Sequence, residues 1–328
     1  MIVVGTGERE RLVVAVLTYR RPDRVAALVP LLVEQVADLA RRGGPGVTAS
    51  VLVVDNDPAG TGARAVDDVR PAAGQDWPVT TVVEPEPGIA AARNRALRAG
   101  ADHDLLVFVD DDEVPGQGWL RALWTTYRET GAHAVTGPVT SSYEVEPDPW
   151  VRAGGFYDRT HRAGLATGTV VRTAATNNLL LDLRAVRRAG LAFDPALGLS
   201  GGEDTHFTSA LTAAGGRIVW CAEAVVSDVV PADRLTRDYL LARTAGLANS
   251  SARVALLLAP DRLARARVRA RTLAAGLARG VLGAGQVALA AVRSDVGGDA
   301  RGRRTLARSR GELLAVTGRV LLPYARQG

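Results

Sequence analysis

The run LLVFVDDDEVPGQGWL, residues 105–120, sets five apolar residues directly against three consecutive aspartates. Leu105–Val109 has no polar face, as expected of a strand in a parallel sheet covered by helices on both sides, because neither side meets water. The same pattern recurs around it. Leu12–Leu17, Val51–Val54 and Val79–Val83 read as further strands, each a short Val/Leu-rich run ending in polar residues. Helices are expected after Pro22, closed by Gly43, Gly44 and Pro45, and near residues 60–70, 88–100 and 117–130. Strands crossed over by helices through the first two thirds of the chain make a mostly parallel α/β sheet. Ala134–Thr140 and Asn178–Leu181 are expected to add strands, and the Gly-, Pro-, Tyr- and Trp-containing stretch between them reads as a substrate-facing insertion. From Arg234 onward the pattern is helical.

The 328 residues are 47% apolar and 23% charged, enough to bury a sizeable core, which excludes disordered and collagen-like chains. All forty basic residues are arginine. The lack of lysine removes Schiff-base chemistry, lysine-anchored pyridoxal phosphate and the phosphate-binding lysine of a P-loop. Cys221, the single cysteine, cannot close an intrachain disulfide, and the four histidines form no zinc-type spacing. A small buried core residue in a reducing compartment is expected there. Residues Glu8 to Arg11 interrupt the apolar start and no basic region precedes it, so no signal peptide is evident and a cytoplasmic location is expected.

Charge divides along the chain. Residues 261–328 carry 14 arginines against four acids, a net +10, whereas the remainder is net negative at −5. Such a tail suits anionic lipid, nucleic acid or an acidic partner, or is simply a solvated basic face. Within it, Thr272–Val292 is long enough for a bilayer span, yet Arg279 and four glycines favour a buried or surface-lying helix.

Three stretches can carry chemistry. Ligands of open α/β sheets bind outside the carboxyl ends of the strands, where Asp110, Asp111 and Asp112 stand. In an extended chain side chains alternate, so Asp110 and Asp112 are expected to converge while Asp111 points away. Paired carboxylates at the end of an apolar strand call for a cation, and oxygen donors suit Mg²⁺ or Mn²⁺; a solvated acidic turn is the plainer alternative. In SGGEDTHF, residues 200–207, Glu203 and Asp204 open a helix. They either complement its dipole or provide a general base on a rigid helix start. In EPEPGIAAARNRAL, residues 84–97, Pro87 and Gly88 introduce a helix whose amides can face an anion, and Arg93 can reach a diphosphate or base, unless it is an ordinary surface arginine. Asp55, ending VVD, can accept the imino N–H of a pyrimidine or begin the Asp-Asn-Asp-Pro turn.

Taken in order, LTYRR (17–21), VVDND (53–57), EPEPGIAAARNRAL, FVDDDEVPGQGWL and SGGEDTHF resemble glycosyltransferase family 2. The resemblance spans roughly residues 10–245 by the tolerance of motif-based boundaries. It implies an α/β GT-A fold, Rossmann-like, with a mostly parallel central sheet flanked by helices. A nucleotide-sugar and catalytic domain is implied over residues 1–245, followed by a helical Arg-rich extension over 246–328. It further implies an inverting hexosyl- or pentosyltransferase that uses a nucleoside-diphosphate sugar and Mg²⁺ or Mn²⁺. The Thr18 and Tyr19 turn and Asp55 match positions that hold the nucleobase, Arg20 is a further nucleotide-sugar-binding candidate, and Arg93 matches an arginine of the nucleotide pocket. Asp110 and Asp112 match the outer residues of the family's Asp-x-Asp element, the first approaching the ribose and the last at the metal, with Asp111 between them counted among the nucleotide-sugar-binding residues. Asp204 matches the catalytic base, supported by Glu203, and Asn177 and Asn178 resemble a polar pair beside the sugar. The stretch RLTRDYLLAR, 234–243, resembles a helix in members acting on lipid-linked or polysaccharide acceptors.

The implied acceptor is a hydroxyl of a carbohydrate, a lipid-linked intermediate or a secondary metabolite, with no nucleic-acid partner. The C-terminal helices are left to peripheral contact at the inner face of a membrane or to homodimerisation. The Arg/Ala/Gly-rich, lysine-free composition suggests a GC-rich bacterial source. Two other readings compete. VFVDDDEV, 107–114, also resembles the nucleophile loop of haloacid-dehalogenase-type phosphatases, which normally add a lysine absent here. The second alternative is a non-catalytic nucleotide-sugar-fold protein used for binding or assembly at a membrane.

Overall fold

A computed structural model describes residues 9–44, 46–72, 76–159 and 162–321. The elements run β1 (Glu10–Thr18), α1 (Pro22–Arg42), β2 (Val47–Asp55), α2 (Thr61–Asp68), β3 (Val79–Val83), α3 (Ile89–Ala99) and β4 (Leu105–Asp110). There follow β5 (Glu113–Pro115), α4 (Trp119–Thr130), β6 (Ala134–Thr136), β7 (Val139–Tyr143), α5 (Pro149–Gly154), β8 (Val170–Val171), β9 (Asn178–Asp182) and α6 (Leu183–Arg188). The chain closes with α7 (Glu203–Ala213), β10 (Ile218–Trp220), β11 (Val226–Val230), α8 (Arg237–Leu257), α9 (Arg262–Arg293) and α10 (Val296–Val316).

Two compact units emerge from this chain. The first comprises Met1–Thr140, His161–Pro195 and Phe207–Asp228; the second comprises Ser141–Thr160, Ala196–His206 and Val229–Gly328. The α8 helix is continuous through residue 245, and α7 has its first residues in one unit and the rest in the other.

The first unit holds an eight-stranded sheet of order β3-β2-β1-β4-β9-β6-β10-β8. Pairings β1–β2, β1–β4, β2–β3 and β6–β10 are parallel. The antiparallel β9 lies between β4 and β6. One face packs Leu28, Leu32 and Leu39 of α1 with Leu120 and Leu123 of α4; the other packs Ala92 and Ala96 of α3 with Phe193, Phe207 and Leu211. Both faces are therefore apolar, which is why the strand runs show no alternation. Each fully buried Leu or Val there contributes about 1.5–3 kcal/mol. Cys221 is fully buried, and burial raises its thiol pKa.

The run expected as one strand over Ala134–Thr140 is two strands broken at Gly137 and Pro138. A Cβ on Gly137 would lie 2.1 Å from the Ala224 carbonyl oxygen, so only glycine lets the backbone pass there. Past the break, Val139–Tyr143 joins a separate three-stranded sheet of order β5-β11-β7. Within the second unit, Trp150, Val151, Phe156, Tyr157, Leu240 and Ala300 form a core of their own.

Candidate active site

Register brings the first group of residues together. In the β1–β2 ladder Thr18 is paired with Asp55, and in the β1–β4 ladder Leu17 is paired with Asp110. Both β2 and β4 flank β1 on opposite sides, so the chain order reverses there and opens a crevice at the carboxyl edge. Thr18, Asp55 and Asp110 thus share that edge.

After Asp110 the chain turns instead of staying extended, which ends the alternation expected across the three aspartates. Asp111 is buried and accepts the Thr18 hydroxyl at 2.8 Å and Arg21 Nη1 at 2.8 Å. The same Arg21 nitrogen lies 3.3 Å from Asp112, and Arg24 is 3.6 Å from the same Asp112 oxygen. Asp111 and Asp112 therefore share the Arg21 guanidinium, which also feels the charge of Asp110. Burial pushes the Asp111 carboxyl up, more than Arg21 and Thr18 pull it down. Burial opposes the charge on Arg21, but Asp111 outweighs it and holds the guanidinium more firmly protonated than usual.

Glu113, which the sequence reading passed over, completes the group. It is 2% exposed, accepts Asn177 Nδ2 at 2.5 Å and takes the Asp110 backbone N–H at 3.3 Å. Burial, then the charge of Asp110, drive its carboxyl well above the usual range, with Asp112 adding to the effect. Beside Asn177, the hydroxyl of the buried Thr176 has no partner among the described residues. Arg21, Arg24 and Glu113 did carry a signal. Arg21 and Arg24 are three residues apart at the start of the helix after β1, hence on one face at the strand ends. Glu113 follows a turn that brings it back beside Asp110.

Asp55 is fully buried and accepts the backbone N–H groups of Asp57 at 3.0 Å and Ala63 at 2.9 Å. It secures both the Asp55–Asp57 turn and the start of α2. Asn56 donates to the Glu84 and Glu86 carbonyls and accepts from Gly88 N–H, joining the ends of β2, β3 and α3. The φ of Gly88, 117°, is open to glycine but strained for other residues. Arg20 stands at φ 53°, its guanidinium 5.2 Å from the centroid of the Tyr19 ring and 4.0 Å from Asp57. Arg93 is buried rather than a surface arginine, its guanidinium 5.6 Å from the Phe193 ring centroid. Phe193 in turn stacks on Phe207 at 4.2 Å.

Asn178 has a different placement from Asn177. Its amide accepts Trp119 Nε1–H at 2.9 Å and donates to the carbonyls of Pro138 and Ala224 at 3.1 and 2.7 Å. Both amide hydrogens are used within the fold, so Asn178 ties strands and α4 together while Asn177 reaches the acidic group.

In the second unit, Gly201 and Gly202 take φ of 77° and 92°, and Glu203 and Asp204 then begin α7. A Cβ on Gly202 would stand 2.9 Å from Val254 of α8. Ser250 of the same helix donates to the Ser200 carbonyl. Glu203 is buried, and Asp204 Oδ1 accepts the Thr205 backbone N–H at 2.6 Å.

The group at the strand ends offers the donor type that Mg²⁺ or Mn²⁺ takes. Its donors are hard carboxylate oxygens, Asp112 already draws two guanidinium groups, and the charges of Asp110 and Asp112 raise a buried neighbour. Among the described residues no three His, Cys, Asp or Glu side chains are gathered in a metal-holding cluster.

An open α/β sheet with an acidic crevice at its reversal point, and helices after it, is the GT-A architecture of nucleotide-sugar-dependent transferases. The glycosyl transferase family 2 model matches residues 13–182. The succinoglycan biosynthesis protein ExoM of Rhizobium meliloti is 36% identical over 230 residues, 70% of each chain. The chain belongs to glycosyl transferase family 2 and is a glycosyltransferase. By fold it is similar to the mannosyltransferase PcManGT of Pyrobaculum calidifontis, solved with GDP-Man and Mn²⁺. That match has TM-score 0.62 and 21% identity, covering 93% of this chain and 87% of that one. It is also similar to S. aureus TarS 1-349, solved with UDP-GlcNAc, at TM-score 0.52 and 16% identity, covering 79% and 69%. Against a longer TarS chain the coverage is 41% of that chain.

Proposed function

We propose that the protein transfers a sugar from a nucleoside-diphosphate sugar to a glycan hydroxyl with inversion at the anomeric carbon. The observation that carries this reading is the group at the carboxyl edge of β1 and β4, where hydrogen bonds join Thr18, Arg21, Asp111 and Asp112 in one set and Asp110, Glu113 and Asn177 in an adjoining one. Relatives of the same fold solved with GDP-Man and Mn²⁺, or with UDP-GlcNAc, support the donor class.

In this proposal Tyr19, Arg20 and Asp55 shape the nucleobase end. Asp55 acts mainly by holding its turn, and Arg93 contributes a buried positive charge to the nucleotide pocket. Asp110 lies toward the ribose. Asp112 would hold Mg²⁺ or Mn²⁺, which supplies Lewis-acid compensation of diphosphate charge when bound. With one protein carboxylate assigned to it, its other ligands would come from the diphosphate and water. Asp111 keeps Thr18 and Arg21 in place. Asp204 removes the acceptor hydroxyl proton as that oxygen bonds to the anomeric carbon, and Glu203 supports it. The bond from the anomeric carbon to the diphosphate oxygen breaks with its electron pair leaving on the nucleoside diphosphate. A single displacement of this kind inverts the centre.

The acceptor is proposed to be carbohydrate, in keeping with the description of ExoM as a succinoglycan biosynthesis protein. The test is incubation with UDP-, dTDP- and GDP-sugars and Mn²⁺, reading released nucleoside diphosphate and, with an oligosaccharide acceptor, the anomeric configuration by NMR. Inverted product is expected. Retained configuration would remove the single-displacement reading, and the absence of diphosphate release from every donor would remove the donor class.

A further inference from the structure

Among the described residues one helix, α9, is long and apolar enough to cross a membrane, and most of its surface is exposed. Its two sides differ in kind. One side is a seam on α10. A Cβ on Gly276 would stand 3.0 Å from Leu313, one on Gly283 would stand 3.0 Å from the Gly302 carbonyl oxygen, and Ser309 donates to the Gly276 carbonyl at 2.7 Å. Arg279 donates to both carboxylate oxygens of Glu312 at 2.6 Å.

The other side is covered by nothing in its own unit. Leu263, Leu277, Val281 and Val292 are 61%, 55%, 78% and 86% exposed. At about 100° per residue they fall, with Ala270 and Ala288, inside an arc of about 60° running the full helix. Arg267 and Arg271 stand on one flank of that arc, Arg262 and Arg269 on the other. None of these four has an ion-pair partner among the described residues, and α9 contains no acidic residue. A long apolar stripe bordered by unpaired arginines is the pattern of a helix lying in a lipid interface.

We propose that the outer face of α9 docks on an anionic lipid bilayer, with the stripe at the acyl boundary and the four arginines on headgroup phosphates. Charge selects this occupant. A second copy would set arginines against arginines or against the apolar half of α9, since the helix has no acid to meet them; anionic headgroups neutralise them where they stand. A span is disfavoured by the seam, because α10, with Arg301, Arg303, Arg304, Arg308 and Arg310, would have to follow α9 into hydrocarbon or be torn from it.

The full chain tests this by sedimentation with vesicles of phosphatidylcholine alone or mixed with phosphatidylglycerol. Binding is expected only with phosphatidylglycerol and should fall at least tenfold between low and high salt. The variant Arg267→Gln/Arg269→Gln/Arg271→Gln should weaken it by roughly fivefold per arginine, and Leu277→Asp/Val281→Asp should abolish it. Unchanged melting curves for both variants would show that each still folds. Three results would overturn the proposal. They are equal binding to both vesicle types, retention that resists both salt and alkaline carbonate, or no lipid binding together with a dimer that Leu277→Asp/Val281→Asp dissolves.

Discussion

Asp204 is held by its own helix before any substrate arrives, one carboxylate oxygen accepting the Thr205 N–H at 2.6 Å. Replacing it by asparagine keeps size and hydrogen bonding but removes the ability to take a proton. Asp204→Asn should lower kcat by roughly 10²–10⁴-fold while changing nucleoside-diphosphate affinity by less than about twofold, read by steady-state kinetics beside titration calorimetry. An unaltered kcat would withdraw the base assignment. Arg21 makes the opposite kind of contribution. It is half-exposed, yet it compensates the buried Asp111, so Arg21→Ala should cost about 1–2 kcal/mol in urea unfolding. No loss of stability would show that solvent serves Asp111 as well as the guanidinium does. The aspartates were readable because a polar residue at the end of a buried strand stands out. The sharing of Arg21 by Asp111 and Asp112 was not, since it depends on a turn after Asp110 that no side-chain periodicity encodes. Glu113 was missed for the same reason: in a linear reading it looks like the start of the next loop.

Among the elements, the strands and first helices could be read from apolar runs and from Pro and Gly boundaries, because each is a local pattern. Helix α1 illustrates this. It begins at Pro22, ends before Gly43 and continues through Pro30 because Leu28, Val29 and Leu32 still bury one face. The placement of β9 between β4 and β6 was not legible, since strand order is set by long-range packing. Asn178 is the side chain through which that order is enforced, joining Trp119 of α4 to carbonyls at Pro138 and Ala224. Truncation leaves a buried indole N–H and two carbonyls without partners. Asn178→Ala should therefore cost about 3 kcal/mol and lower the melting temperature by roughly 4–5 °C. A shift under 1 °C in calorimetry would mean that water replaces all three bonds. A wild-type donor KM in the surviving folded fraction would separate this bracing role from contact with the sugar.

The sequence suggests one boundary near residue 245, whereas the second compact unit is assembled from three separate stretches of chain, an arrangement set by long-range packing. Its basic helices were visible in composition alone. The strand-end acids belong to the first unit, and they pose a question about cations that the intact chain can answer. Asp112 already has Arg21 and Arg24 within 4 Å. Either these guanidiniums suffice to hold a diphosphate, or a divalent ion must share the carboxylate with them. If the ion is required, nucleoside diphosphate with Mn²⁺ should stabilise the chain by about 2.7 kcal/mol at a hundredfold excess over Kd, roughly 5 °C in melting temperature. EDTA should remove most of that gain, and Asp112→Ala should abolish it without lowering the melting temperature of the ligand-free chain by more than a few degrees. If nucleotide alone protects fully and EDTA has no effect, the arginines carry the diphosphate, and Asp112 serves to position them instead of holding metal.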